Sequence, residues 1–94
     1  MKSRQRAFRA VISGRVQGVG FRYHARRKAE SLAIRGWVKN EDDGSVTVCA
    51  EGDSDNLDLF ASWLRKGPQG AWVSEFEIEE IPYTGAYTEF DIEF

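Results

Sequence analysis

A chain of ninety-four residues, 41% apolar and 13% aromatic, holds one hydrophobic core but not two, which excludes a disordered segment and a multidomain chain. No apolar run approaches the ~20 residues of a membrane span, and the basic start MKSRQRAFRAVISG lacks the apolar stretch and cleavage site of a secretion signal. The net charge of −2 conceals a strong polarity, because residues 1–39 carry eleven Lys and Arg against Glu30 alone, whereas residues 40–94 carry two against fourteen acids.

In chain order, AFRAVIS (7–13) alternates with Phe8, Ala10 and Ile12 on one side, the period of a half-buried strand. GRVQGVGFR (14–22) follows, a glycine-punctuated join far longer than a strand-to-helix turn requires. From Phe21 the period becomes helical, with Phe21, Ala25, Ala29, Leu32 and Ala33 on one face. Gly36, after Arg35, is expected to close that helix. WVKN (37–40) predicts a second strand, EDDG (41–44) a turn, and SVTVCAE (45–51), with Val46, Val48 and Ala50 in phase, a third strand. GDSDNLDLFASWLRKG (52–67) predicts a second helix, capped by Asp53 or Ser54, with Leu57, Phe60, Ala61 and Leu64 inward. WVSEFEIEE (72–80) reads as a strand with Trp72, Ser74, Phe76 and Ile78 on one side and Glu75, Glu77 and Glu79 on the other. Thr88, Phe90, Ile92 and Phe94, alternating with Glu89, Asp91 and Glu93, predict a short fifth strand.

The order β-α-β-β-α-β plus one strand is solved economically by two interleaved right-handed β-α-β units. The expected fold class is therefore α+β: one domain over residues 1–94, a ferredoxin-like α/β sandwich with an antiparallel sheet and both helices on one face. In that topology the first two strands run parallel with the third between them. Their C-terminal ends, at Gly14 and Asn40, then share a sheet edge with the N-terminus of the first helix, where free N–H groups and the positive dipole end point. Successive N–H groups in a tight turn make an anion nest, and Gly18 and Gly20 supply positive φ while keeping side chains out of it. Arg22, in the first helical turn, adds a planar two-pronged contact to the same oxygens. A loop that merely needs glycine geometry is the plainer alternative. The charge polarity has two readings as well: an anionic ligand near the first half, or halves that interleave and pair across the sheet.

ISGRVQGVGFR (12–22) and GWVKNEDDGSVTVCAEG (36–52) together resemble the acylphosphatases, through the patterns G-x-V-Q-G-V-x-F-R and G-W-V-K-N-x-x-x-G-x-V-x-x-x-x-x-G. Length and element order agree, so the resemblance covers essentially the whole chain. It implies hydrolysis of acyl phosphates to carboxylate and inorganic phosphate. Arg22 would be the phosphate-binding catalytic arginine and Asn40 the residue that places the attacking water. The backbone amides of Arg15, Val16, Gln17, Gly18, Val19 and Gly20 would form the phosphate cradle. The resemblance further implies no metal, no other cofactor and no covalent phosphoenzyme.

The chemistry is consistent with so sparse a set of residues. Phosphoryl transfer passes through a loose transition state that depends on positioning and electrostatics. The leaving carboxylate is already a stable anion at neutral pH and needs no dedicated acid. An amide cannot take a proton at neutral pH, but it both donates to and accepts from water; a phosphate oxygen of the substrate is a hypothesis for the base, which the sequence does not identify. His24, the only histidine, is expected on the exposed side of the helix, about 200° round from Arg22. Arg26, Arg27 and Lys28 read as a solvated face, and Trp37, Trp63 and Trp72 as core or rim packing. Cys49, the only cysteine, reads as a small core or surface residue, which agrees with a reducing compartment. A fifth strand antiparallel in direction to the fourth would return the Phe94 carboxylate to the active edge, to pair with Arg22.

Two rival readings stand beside this one. A nucleic-acid-binding module fits the basic first half, but the aromatic K/R-G-F/Y-G/A-F-V run of RNA-recognition domains is absent and the later strands are rich in glutamate. A domain of a larger carbamoyl-transferring assembly is the other; a chain running from Met1 to its last strand suits a stand-alone enzyme better. The expectation is a cytoplasmic monomer acting on a small acyl phosphate, with no nucleic-acid or membrane partner.

Overall fold

The structure, a computed structural model, describes residues 4–94. Its elements are β1 (Gln5–Arg15), α1 (Phe21–Ser31), β2 (Arg35–Asn40), β3 (Val46–Asp53), α2 (Ser54–Lys66), β4 (Trp72–Ile81) and β5 (Phe90–Glu93). The strands lie in the order β4-β1-β3-β2-β5. β3 runs antiparallel to both β1 and β2, so those two are parallel and end at one edge of the sheet, as the split β-α-β topology requires. β4 adds antiparallel to β1. The sheet is mixed rather than wholly antiparallel, because β5 pairs with β2 in parallel, from Gly36↔Phe90 to Lys39↔Glu93. The reason is the connection: the chain leaves β4 at one edge, crosses to the other and arrives there in the direction of β2.

Phe8, Ala10 and Ile12 of β1, Val46, Val48 and Ala50 of β3 and Val38 of β2 form the apolar floor, as their alternation predicts. Phe21, Ala25 and Ala29 of α1 and Leu57, Phe60 and Leu64 of α2 close it from above. Phe60 stacks on Phe8 and Trp63 and meets Phe90 edge-on at 5.6 Å, so β5 is tied to the core through its first side chain. Asp53 is the cap of α2, accepting from the Asp55 N–H at 3.1 Å, while the Ser54 hydroxyl accepts from Arg6.

Three expectations are corrected. α1 ends at Ser31, and Ala33, at φ 55°, turns out into solvent instead of extending the apolar face. The Ile34 N–H donates to the Ala29 carbonyl at 2.8 Å and closes the helix there. Gly36 accordingly lies inside β2 and not at a helix end. Its φ is 139°, and a Cβ there would stand 1.9 Å from the Cys49 carbonyl oxygen, so only glycine allows β2 and β3 to approach. Gly36→Ala is expected to cost about 4 kcal/mol or more, read as a collapse of the urea midpoint. In β4 the predicted phase breaks. The register slips between Ser13 and Gly14, pairing Ser13 with Glu75 but Gly14 with Val73, so Ser74 has no partner on β1. Val73 and Phe76 therefore both reach the core, and Trp72 is left 67% exposed.

The 82–89 crossover is pinned by a buried carboxylate. Glu51 accepts from the Thr84 N–H at 2.8 Å, the Thr84 hydroxyl at 2.7 Å and the Gly85 N–H at 3.0 Å. Further along, the Gly36 N–H donates to the Glu89 carbonyl at 3.0 Å, which sets the start of β5 against β2. Beside this segment the buried Cys49 thiol lies 3.7 Å from the Tyr87 hydroxyl, which also accepts from the Trp37 ring N–H at 3.3 Å. Cys49 and Trp37 thus pack as predicted.

Candidate active site

The site is built where β1 and β2 end and α1 begins. Gly20 is the cap position of α1, with φ 75° and ψ 22°, and no side chain caps the helix. Gly18 is likewise left-handed at φ 76°, and a Cβ there would meet nothing. Among the described residues, the N–H groups of residues 17–23 find no backbone or side-chain acceptor. A run of free donors at a helix N-terminus is the physical definition of an anion site.

The loop does not hold its shape through its own contacts. The Gln17 carboxamide reaches across to the β2–β3 turn and donates to the Glu41 carbonyl at 2.8 Å and the Ser45 carbonyl at 2.9 Å. That turn is itself closed, because the Asp43 carboxylate accepts from the Ser45 hydroxyl at 2.6 Å and from its N–H at 2.9 Å. These bonds hold the Asp43 carboxyl below its ordinary pKa. Gln17 was expected to contribute its backbone N–H; its side chain, which sequence reasoning missed, is the tie between loop and turn. Gln17→Ala is expected to keep the fold and weaken binding of inorganic phosphate at this loop about tenfold, with faster hydrogen exchange confined to residues 16–20.

A cavity of about 200 Å³ opens beside this loop, lined by Val16, Gln17, Gly18, Gly20, Arg22 and Asn40 among others. At ~30 Å³ per water it holds a phosphate-sized anion together with solvent. Arg22 is half-buried and takes part in no ion pair or hydrogen bond among the described residues. The contrast with Arg6 is informative. Arg6 grips Glu80 through two nitrogens, at 3.2 and 3.0 Å, and Asp58 through a third contact at 3.2 Å. Charge pairing between the halves accounts for Arg6 and leaves Arg22 available. Opposite, the Asn40 Oδ1 is a buried acceptor without a partner, a condition that costs about 1–3 kcal/mol and marks a position where a donor belongs.

The structure thus brings Val16, Gln17, Gly18, Gly20, Arg22 and Asn40 to one cavity. Arg15 ends β1 opposite Trp72, and Val19 leans on the core; neither lines the cavity. His24 is exposed on α1, edge-on to Tyr23, and also stands outside it. The expected pairing of Arg22 with the terminal carboxylate is replaced by a different contact. The strand does return to this edge, but the Arg22 guanidinium lies 5.0 Å from the centre of the Phe94 ring. Tyr23, Ile92 and the Phe94 ring also line the cavity; sequence reasoning brought only the Phe94 carboxylate to this edge and did not assign these side chains to the site. Alternation alone placed Ile92 and Phe94 on one side of a strand, and only the pairing with β2 shows what that side faces. Among the described residues, no three His, Cys, Asp or Glu side chains gather to hold a metal ion, and no helix is long and apolar enough to cross a membrane.

Comparison with known proteins gives a consistent result. The acylphosphatase family model matches residues 8–92. The chain is 44% identical over 82 residues to an acylphosphatase of Methylococcus capsulatus, covering 87% of this chain and 89% of that one. In three dimensions it is similar to an acylphosphatase from Coxiella burnetii, with a TM-score of 0.90, 39% identity and coverage of 95% and 93% of the two chains. The acylphosphatase from Bacillus subtilis gives the same TM-score at 35% identity, with coverage of 95% and 99%.

Proposed function

The chain belongs to the acylphosphatase family and is a hydrolase of acyl phosphates, and from that premise we propose how its cavity carries out the reaction. The phosphate group sits against the free N–H groups of residues 17–20 and the N-terminus of α1, with the Arg22 guanidinium forked onto its oxygens. The carboxamide of Asn40 orients a water in line with the bond to be broken. The observation that carries this reading is that Asn40, whose buried Oδ1 has no partner among the described residues, lines the same cavity as Arg22, which pairs with no group among those residues.

The water oxygen bonds to phosphorus as the bond from phosphorus to the acyl oxygen breaks, and that electron pair leaves with the carboxylate. The water proton passes to a phosphate oxygen of the substrate. From an acyl phosphate dianion and water the products are a carboxylate and dihydrogen phosphate, so atoms and charge balance. Negative charge on the equatorial oxygens is met by dipoles and a cation already in place, where preorganisation contributes most. No side chain is covalently modified, no metal or other cofactor is required, and the enzyme acts as a cytoplasmic monomer on small molecules. The glutamates along β4 argue against a nucleic-acid partner.

Hydrolysis in ¹⁸O-labelled water, with chelator present, tests this directly. The label is expected in inorganic phosphate, and acid-quenched enzyme is expected to carry no phosphate. Label in the carboxylate would place the attack at carbon and overturn the mechanism; trapped phosphoenzyme would overturn direct attack by water.

A further inference from the structure

His24, the only histidine of the chain, closes the first turn of α1, its N–H donating to the Gly20 carbonyl at 3.0 Å. On a helical wheel its Cα stands well round from Arg22. An anion at the end of a helix lies near the axis, however, and helical side chains lean back toward the N-terminus. The imidazole does so. A Cβ built on Gly20 would lie 3.4 Å from its Cδ2 and 3.7 Å from its Nε2, so the ring turns that edge to the cap residue with no side chain between. Gly20 lines the cavity and belongs to the run of free N–H donors; Tyr23, which the ring meets edge-on at 5.6 Å, lines it too. His24 thus borders the site without entering it.

We propose that His24 is a second cation of the phosphate subsite, present only while the imidazole is protonated, so that the hold on a dianion tightens as pH falls. The inference rests on the phosphate being held as described above. Nothing on the protein already claims the ring: among the described residues His24 takes part in no ion pair, and the first turn of α1 carries no acid. The charged and titratable groups about it are Arg22, Tyr23, Arg27 and Lys28 on α1 and Arg15 at the start of the loop, none of them a carboxylate. Arg27 lies over the Tyr23 ring at 5.8 Å, and Glu30, the acid of α1, is held by Arg26 at 3.3 Å. A bound anion is the negative partner that an imidazolium here lacks. Histidine is the side chain whose charge ordinarily changes between about pH 5 and 8, so the contribution is full at the acid end of that range and lost as pH rises through it. At an exposed rim it is modest, about threefold in affinity at low ionic strength.

Sulfate is the probe, because it stays a dianion across this range whereas phosphate changes its own charge. Its binding is measured by isothermal titration at low ionic strength, at about pH 5.5 and about pH 8, in the wild type and in His24→Gln. The side chain is exposed, so both proteins are expected to fold alike. Wild type is expected to bind sulfate about threefold more tightly at the lower pH, and His24→Gln equally at both, with the affinity of the wild type at the higher. By reciprocity, saturating sulfate is expected to raise the midpoint of the histidine titration by about half a pH unit, followed by NMR through the ring protons of the lone histidine. Wild-type affinity independent of pH, a pH dependence that survives in His24→Gln, or a midpoint that sulfate does not move would each overturn the proposal, while bound sulfate leaves the phosphate subsite standing. Failure of sulfate to bind either protein at either pH would overturn both readings.

Discussion

Replacing Arg22 with alanine is expected to lower kcat/KM for an acyl phosphate by about 10³-fold or more while leaving the protein at least as stable. The size follows from the chemistry: a single guanidinium on a transferring phosphoryl group contributes about 10³–10⁵. Arg22 is also the cation that lines the cavity. The stability half follows from position. Arg22 stands in the first turn of α1, where the helix dipole disfavours a positive charge and no acid accompanies it. Removing it relieves that repulsion, worth about 0.3–1 kcal/mol, and forfeits only the contact with the Phe94 ring. Arg22→Lys keeps the charge but loses the planar fork, and is expected to recover a small part of the rate. Kinetics beside a thermal melt check both halves. A variant that retained near-normal turnover would refute the site assignment.

Asn40 should give the second-largest effect, with a different signature. Asn40→Ala removes the group that orients the water and nothing that touches the phosphate. It is expected to reduce kcat by about 10²–10³-fold with little change in KM. Its stability should hold or rise slightly, because the deleted Oδ1 accepts no hydrogen bond from any group among the described residues. Asn40→Asp is isosteric but adds a carboxylate facing a dianion. It should lose at least as much activity and in addition raise KM, an increase that salt reduces by screening. Equal KM values in the alanine and aspartate variants would show that residue 40 does not face the phosphate.

That these two residues share one cavity was legible from the sequence, and the reason is topological. Parallel placement of β1 and β2 around β3 forces the ends of those strands and the start of α1 to one edge, so Arg22 and Asn40 meet whatever the details of packing. Periodicity was equally informative where one face is buried, as at Phe8, Ala10 and Ile12 or Leu57, Phe60 and Leu64. It failed where a local event changes the phase. The unpaired Ser74 turned Trp72 outward and Val73 in. Gly36 looked like a helix stop because the sequence does not reveal how closely β2 approaches Cys49. The Phe94 ring at the cavity and the Gln17 tie were invisible for a related reason: each depends on a partner distant in sequence, β2 for Phe94 and the 41–45 turn for Gln17.

The position of β1 has a kinetic consequence. The first strand of the chain lies near the middle of the sheet, and its partners come late: Phe8 pairs with Ala50, and Ala7 with Ile81. Closing such long loops precedes any reward from pairing, so folding is expected on the millisecond-to-second scale. The anion nest follows directly on β1 and takes shape only when those distant strands have docked. An anion bound there therefore acts on the finished molecule, retarding its unfolding without hastening its assembly.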